Sequence, residues 1–265
     1  MVNLLVAAAL AAAPPAGTVA TAPADQPAMF VVRDADTTVY IFGTFHALDG
    51  RSQWFDKQVR NAFEQSDELV LETLVPEGPQ PSKFTPPLRA PSVTPSASFL
   101  ATTRLAINAG KAQGMQVANG ADMVLRHVAE GEGKPVEGLE TLQLQIDMFN
   151  HIPASAAAAL PPHAGQAVAN ASIDGLSKAM GDMQNAWKRG DQSVFVHMLA
   201  QLQQASPDTY RMMFTERNQR WADWIRARMQ SPGTVFVAVG AGHLAGPDSL
   251  LAQLAQRGIP SQRVY

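Results

Sequence analysis

"VYIFGTFHALDG", residues 39–50, is the stretch from which this chain is best read. Val39 to Phe42 is an unbroken apolar run; Gly43 ends it, and His46 follows three residues later. A short run rich in β-branched and aromatic residues and stopped by glycine reads as a buried strand. The pattern returns in "VFVAVGAGHLAGPDS", residues 235–249: an apolar run, Gly240, two residues, His243.

Working outward, "AMFVVRDADTTVYIFGT" (28–44) predicts two strands around an Asp34-Ala35-Asp36 turn, a hairpin. "SQWFDKQVRNAFEQS" (52–66) places Phe55, Val59, Ala62 and Phe63 at helical spacing, with Ser52 as the expected cap. "DELVLE" (67–72) is a short strand ending in Glu72. Residues 76–97 are proline-rich and read as an exposed, mobile loop, either a lid or a plain excursion. Residues 98–131 predict two helices broken by "GMQVANG"; "KPVEGLE" (134–140) is a short strand, and "TLQLQIDMFNH" a helix. Residues 155–230 are mainly helical, with breaks near Pro161-Pro162, Gly190 and Ser206-Pro207. "TVFVAVG" (234–240) is a strand too apolar to have a solvent-facing side. "GPDSLLAQLAQRG" is a helix with Pro247 in its first turn and Gly258 past its end, and "SQRVY" a last short strand. Strands and helices alternate at both ends. The expected fold class is therefore α/β: a mixed central β-sheet flanked by helices, with a helical block (about 98–230) between the N-terminal and C-terminal sheet-forming segments.

The chain has 265 residues, 46% of them hydrophobic, which suits one large domain with a helical insert, taken as 29–265. Its net charge is −3 and its Lys and Arg are scattered, so no basic surface advertises nucleic acid. There is no cysteine, which excludes disulfides, thiolate metal sites and a cysteine nucleophile. The apolar segment from Leu4 to Ala13 is too short to span a bilayer and fits a signal-peptide core, although no Lys or Arg precedes it. Residues 1–28 are thus expected to be a signal peptide, giving an exported chain, or a disordered Ala/Pro leader on a cytoplasmic one. No membrane span is expected in the mature chain.

His46, Glu72 and His243 each lie at or just beyond the end of an expected strand. Ligands of open α/β sheets bind outside the carboxyl ends of strands, so the three converge if those strands are parallel neighbours. Imidazole and carboxylate suit Zn²⁺, Mn²⁺ or Co²⁺, with a position left open for water in a hydrolytic site. The competing reading of each histidine is a hydrogen-bonded loop residue. His127, His151, His163 and His197 read as structural or surface residues.

In "MFTERNQRWADWIRARM" (213–229), helical spacing puts Phe214, Trp221, Ile225 and Arg228 on one stripe, flanked by Arg217 and Asn218. Polar groups turned toward a buried side must find partners. Either Arg217 anchors a buried carboxylate and Asn218 holds a loop, or both sit at the rim of the site. Glu140, in "GLET", reads as starting a helix, where its charge suits the dipole. G-x-S-x-G, G-K-[ST], H-E-x-x-H and a dinucleotide glycine fingerprint are all absent.

"DTTVYIFGTFH", "SDELVLE", "GKPVEGLET", "TERNQRWADWI" and "FVAVGAGHLAGPDSLLAQLAQRGIPSQRV", in that order, resemble the TraB/GumN group, to which the Tiki metalloproteases are also related. The resemblance implies an α/β fold with two G-x-x-H motifs and an acidic residue grouped as a metal-dependent hydrolase site. His46 and His243 match the motif histidines and Glu72 the acid; Glu140, Arg217 and Asn218 fall in further matching motifs. Phe45 stands where the group more often has a branched aliphatic residue, and residues 76–118 match poorly. More distant relatives resemble an erythromycin-esterase-like fold, some using a histidine base without metal and some binding haem iron. The expectation is a metal-dependent hydrolase acting on peptide or protein substrates. His46, Glu72 and His243 would hold one divalent ion, Glu72 or Glu140 would take the water's proton, and Arg217 and Asn218 would stabilise an oxyanion or orient the carboxylate. The alternatives are a non-catalytic binding protein for a peptide or haem-like ligand, and a metal-free esterase-like hydrolase with His46 as base.

Overall fold

The computed structural model describes residues 25–74, 108–150 and 173–264. The apolar runs form β1 (Met29–Arg33), β2 (Thr37–Thr44), β3 (Glu68–Thr73), β4 (Val136–Glu140), β5 (Gly233–Gly240) and β6 (Gln262–Arg263). They build one mixed sheet in the order β4-β3-β5-β2-β1-β6. β2, β5, β3 and β4 run parallel, while β1 is antiparallel to both β2 and β6. β1 and β2 form the expected hairpin, its turn closed by Asp34 Oδ1 accepting from Thr37 N at 2.8 Å.

The described helices include α1 (Lys57–Glu64), α2 (Ala121–Gly131), α3 (Leu142–Asn150), α4 (Ile173–Lys188), α5 (Ser193–Ala205), α6 (Pro207–Tyr210), α7 (Glu216–Arg228) and α8 (Leu250–Gln256). Strand side chains alternate between two cores, so both faces of the sheet are covered. Phe42, Leu69, Leu71 and Phe236 pack with Phe63, Leu125, Trp187 and Leu199 on one face. Ile41, Val70, Val237 and Val239 pack with Trp221, Ile225, Leu250 and Leu254 on the other. The result is the expected α/β class, a mixed sheet between two helical layers.

Local chemistry corrects four expectations. Asp56, not Ser52, caps α1, its carboxylate accepting from Gln58 N and Val59 N; Ser52 instead donates to Asp25 at 2.5 Å. Pro247 precedes α8, whose cap is Ser249, accepting from Ala252 N. Glu140 ends β4 and does not start a helix; α3 begins after it at Leu142. Residues 25–28 are not a loose leader: Pro27 and Ala28 are buried and Gln26 N donates to Lys188 O at 2.7 Å. The reading of 76–97 as a mobile loop and most of the leader, 1–24, lie outside the described residues, as do His151 and His163. His127 and His197 are exposed on helices. Among the described residues no helix is long and apolar enough to cross a membrane.

Candidate functional site

The parallel order brings the predicted residues together. β5 lies between β2 and β3, pairing Thr44 with Gly240 and Leu71 with Ala238, so their carboxyl ends emerge side by side. His46 leaves β2, Glu72 ends β3, and His243 sits in a 3₁₀ turn, Ala241–Leu244, directly after β5. Gly240 lies at their centre. A methyl group on its Cα would stand 3.4 Å from Glu72 Oε2, 3.6 Å from His46 Nε2 and 3.7 Å from His243 Cδ2.

Each of the three is braced from behind. Glu72 Oε2 accepts from Gly240 N at 3.1 Å; its Oε1 accepts from Arg217 Nη2 at 2.5 Å and from Gln145 Nε2 at 3.2 Å. Burial is the largest influence on Glu72 and opposes its charge, but the Arg217 guanidinium and then the two imidazoles together outweigh it and hold the carboxyl well below its usual range. His243 is buried between Phe214 and Trp221, ring centroids 4.9 and 4.4 Å away. Its Nδ1–H faces Asn218 Oδ1 at 2.7 Å, and its Nε2 faces Arg217 Nη1 at 3.3 Å. Burial, with help from Arg217 and against the pull of Glu72, lowers the His243 pKa to about 3, so the ring is neutral. His46 differs: its side chain is 62% exposed, and Asp122 Oδ1 lies 3.2 Å from Nδ1. The ring sits within a cleft that water still reaches. Burial works against its charge, but Asp122 and then Glu72 outweigh it and raise its pKa to about 9.

Arg217 organises the rest. Its Nε donates to both Glu140 oxygens, at 3.1 and 2.9 Å, and Nη1 donates to Met213 O at 3.3 Å. A π-turn, Arg211–Thr215, immediately precedes α7; such widened turns are frequent at functional sites. Glu140 is buried and also bonds Arg220, at 3.2 Å. The anchoring contacts expected of Arg217 and Asn218 are present, and of the two only Arg217 also borders the cleft. Arg217 anchors buried carboxylates and lines the cleft; Asn218 holds the loop after β5 by donating to Asp248 O at 2.8 Å while it positions His243. Glu140 and Asn218 do not line the cleft; they stand behind the residues that do.

The cleft has a volume of about 360 Å³ and an apolar wall of Phe45, Met180, Met183, Phe195, Met198 and Phe214. A second apolar cavity, about 610 Å³, shares His46, Ala47 and Met180 with the first. A third, about 620 Å³, is lined by Arg33, Arg226 and Arg257 and touches none of the strand-end residues; convergence, not volume, identifies the site.

Two imidazoles and a carboxylate, each with an orienting partner, have the donor chemistry of a divalent-ion site. The fit is incomplete as the side chains stand. His243 Nε2 is 4.0 Å from Glu72 Oε2, and a guanidinium faces both residues. Among the described residues no group of three or more His, Asp or Glu is already arranged to hold a metal ion. Spacing did not reveal Asp122 or Gln145, since neither lies in a motif; Phe214 and Trp221 were legible as the apolar stripe of α7.

No curated protein and no solved structure matches the chain. The model of the TraB/PrgY/gumN family matches residues 28–86 and 83–263, a span that takes in every residue of the site, and the chain belongs to that family.

Proposed function

We propose that this chain is a hydrolase of peptide or protein substrates, with His46, Glu72 and His243 holding a divalent ion at the carboxyl edge of the sheet. The observation that carries the reading is their convergence over Gly240, each atom facing the cleft with a bracing partner behind it. The protonation states of two of the three support it: His243 is neutral and Glu72 ionised, as metal ligands must be, whereas His46, raised to about 9, would give up its proton when an ion binds. A bound ion there would supply a water ionising near pH 7 and a Lewis acid for the carbonyl.

The chain's own residues divide the remaining work. A carboxyl held as low as Glu72 is a poor proton acceptor near neutrality, so Glu72 serves as ligand and charge, not as base. Arg217 presents Nη1 and Nη2 beside His243 and Glu72, a fixed positive group near the place where a carbonyl oxygen would gain charge. Glu140 and Asn218 position Arg217 and His243. The methionine and phenylalanine wall takes an apolar part of the substrate and excludes water.

One observation favours a second reading, metal-free hydrolysis with His46 as base: the Arg217 guanidinium already occupies the Nε2 side of His243. Metal analysis of the purified chain and of His46→Ala and His243→Ala, after incubation with Zn²⁺, Mn²⁺ or Co²⁺, separates the two when paired with a peptide library. Metal in wild type, loss in both variants and metal-dependent cleavage support the first reading. Cleavage that persists in chelator supports the second. Metal or ligand binding without cleavage of any peptide overturns both in favour of a binding protein. The mature chain would then lie outside the cytoplasm, and a secreted or periplasmic form beginning before Asp25, so that the packed residues 25–28 are kept, is the expected finding on N-terminal sequencing.

A further inference from the structure

The carboxylate beside His46 belongs to no motif. Asp122 lies in the first turn of α2, where an acidic residue complements the helix dipole. That ordinary role is served equally well by an exposed carboxylate, and Asp122 is arranged differently. Its Oδ1 is buried, accepts no directed hydrogen bond, and faces His46 Nδ1 at 3.2 Å. A buried carboxylate oxygen is costly to leave without a donor, and the imidazole N–H is placed to become one after a small ring rotation.

The approach is built into the backbone. Ala121 N donates to Phe45 O at 3.0 Å, and Leu48 and Gln116 exchange two bonds, at 3.2 and 2.9 Å. Gly120 packs so closely on the exit of β2 that any Cβ there would overlap the His46 carbonyl and come within 3.0 Å of Asp122 Oδ1. The segment before α2 is thus stitched to the loop that carries His46, fixing the carboxylate against one edge of the ring.

We infer that Asp122 is the positioning residue of His46: its carboxylate accepts from Nδ1–H, keeps the proton on that nitrogen, and leaves Nε2, the nitrogen nearest Gly240, as the working atom. A neutral imidazole has two tautomers, and a carboxylate at Nδ1 selects the one with a free Nε2 lone pair. The inference deepens the proposed hydrolytic reading and rests on it for the importance of Nε2. It applies whether Nε2 binds a metal ion or takes a proton.

The test is long-range proton–nitrogen NMR of the full chain labelled at histidine nitrogen, at a pH above the His46 value of about 9, with His46→Gln to assign the signals. Wild type should carry the neutral-ring proton on Nδ1; in Asp122→Ala it should move toward Nε2 while the His243 signals stay put. Asp122→Ser supplies the same readout if the alanine variant does not fold. A wild-type ring protonated on Nε2, or an unchanged tautomer in a folded variant, overturns the inference. In turnover assays kcat should fall about 10- to 100-fold with little change in KM; a parallel rise in KM with unchanged kcat also overturns it. If wild type cleaves no peptide, the hydrolytic reading fails and the tautomer experiment still decides the role of Asp122.

Discussion

Glu72 Oε1 and Arg217 Nη2 meet at 2.5 Å behind the carboxyl edge of the sheet, and the same guanidinium bonds both oxygens of Glu140. Two carboxylates from adjacent parallel strands are thereby joined through one cation, with exposed Arg220 adding a second at Glu140. This places a compact charged network against the aromatic stripe of α7, with the Arg217 Cζ 4.7 Å from the Trp221 ring centroid.

Arg217→Ala should leave two carboxylates buried without their shared partner. Breaking such a pair costs about 3–5 kcal/mol, read as a fall in the urea midpoint. Adding Glu140→Gln to Arg217→Ala should restore part of the loss, because one of the two negative charges that shared the guanidinium is removed, Arg220 alone being left to Glu140. A wild-type midpoint for Arg217→Ala would show that the network contributes nothing to stability.

Gly240→Ala should separate folding from function. Gly240 has φ −51° and ψ 135°, which alanine adopts without strain. Its methyl group would stand at ordinary contact distance from Glu72, His46 and His243, in the space where they converge. Thermal unfolding should stay near wild type while turnover falls about 100-fold. Full activity in this variant would mean that the chemistry occurs elsewhere.

Asn218→Ala removes the acceptor for His243 Nδ1–H and the donor to Asp248 O. Buried groups left without partners cost about 1–3 kcal/mol. Asp248 is also held by Tyr210, whose hydroxyl donates to it at 3.0 Å, so the loop should loosen without detaching. Hydrogen exchange should quicken around residues 243–249 and leave β1 and β2 unchanged.

Stability should peak near pH 6.5 and fall on both sides. His243, at about 3 in the fold against 6.5 for the free side chain, is protonated first in the unfolded chain. Its contribution is full above 6.5 and lost as the pH falls toward 3. Glu72, also depressed, adds to the acid loss below its ordinary value of 4.5. His46 has the opposite sign: raised to about 9, its contribution is full below 6.5 and lost as the pH rises through 9. Its ring is open to solvent, so the alkaline limb should be the shallower. Urea midpoints across pH should show both limbs, and His46→Gln should flatten the alkaline one only.

Much of this was legible because both faces of the sheet are covered. Strands without a solvent side must be apolar throughout, so β2 and β5 announced themselves, and the glycine at the end of each, with a histidine three residues on, marked the strand exit. The stripe on α7 was legible for a similar reason, since a helix with one buried face repeats its apolar residues at helical spacing. Caps were less legible: Ser52 and Asp56 are both good N-cap residues, and only the place where α1 starts decides between them.

The sequence by itself determined the elements, the two exit histidines, and the need for Arg217 and Asn218 to find partners. Only the tertiary structure decided that β5, formed late in the chain, inserts between β2 and β3 and makes their ends neighbours. It also put Glu140 at a strand end against Arg217, and Asp122 against His46. Local patterns report what a residue does along its own helix or strand. Which strand lies beside which is settled by burying the whole apolar surface at once, and that pairing joins residues far apart in sequence.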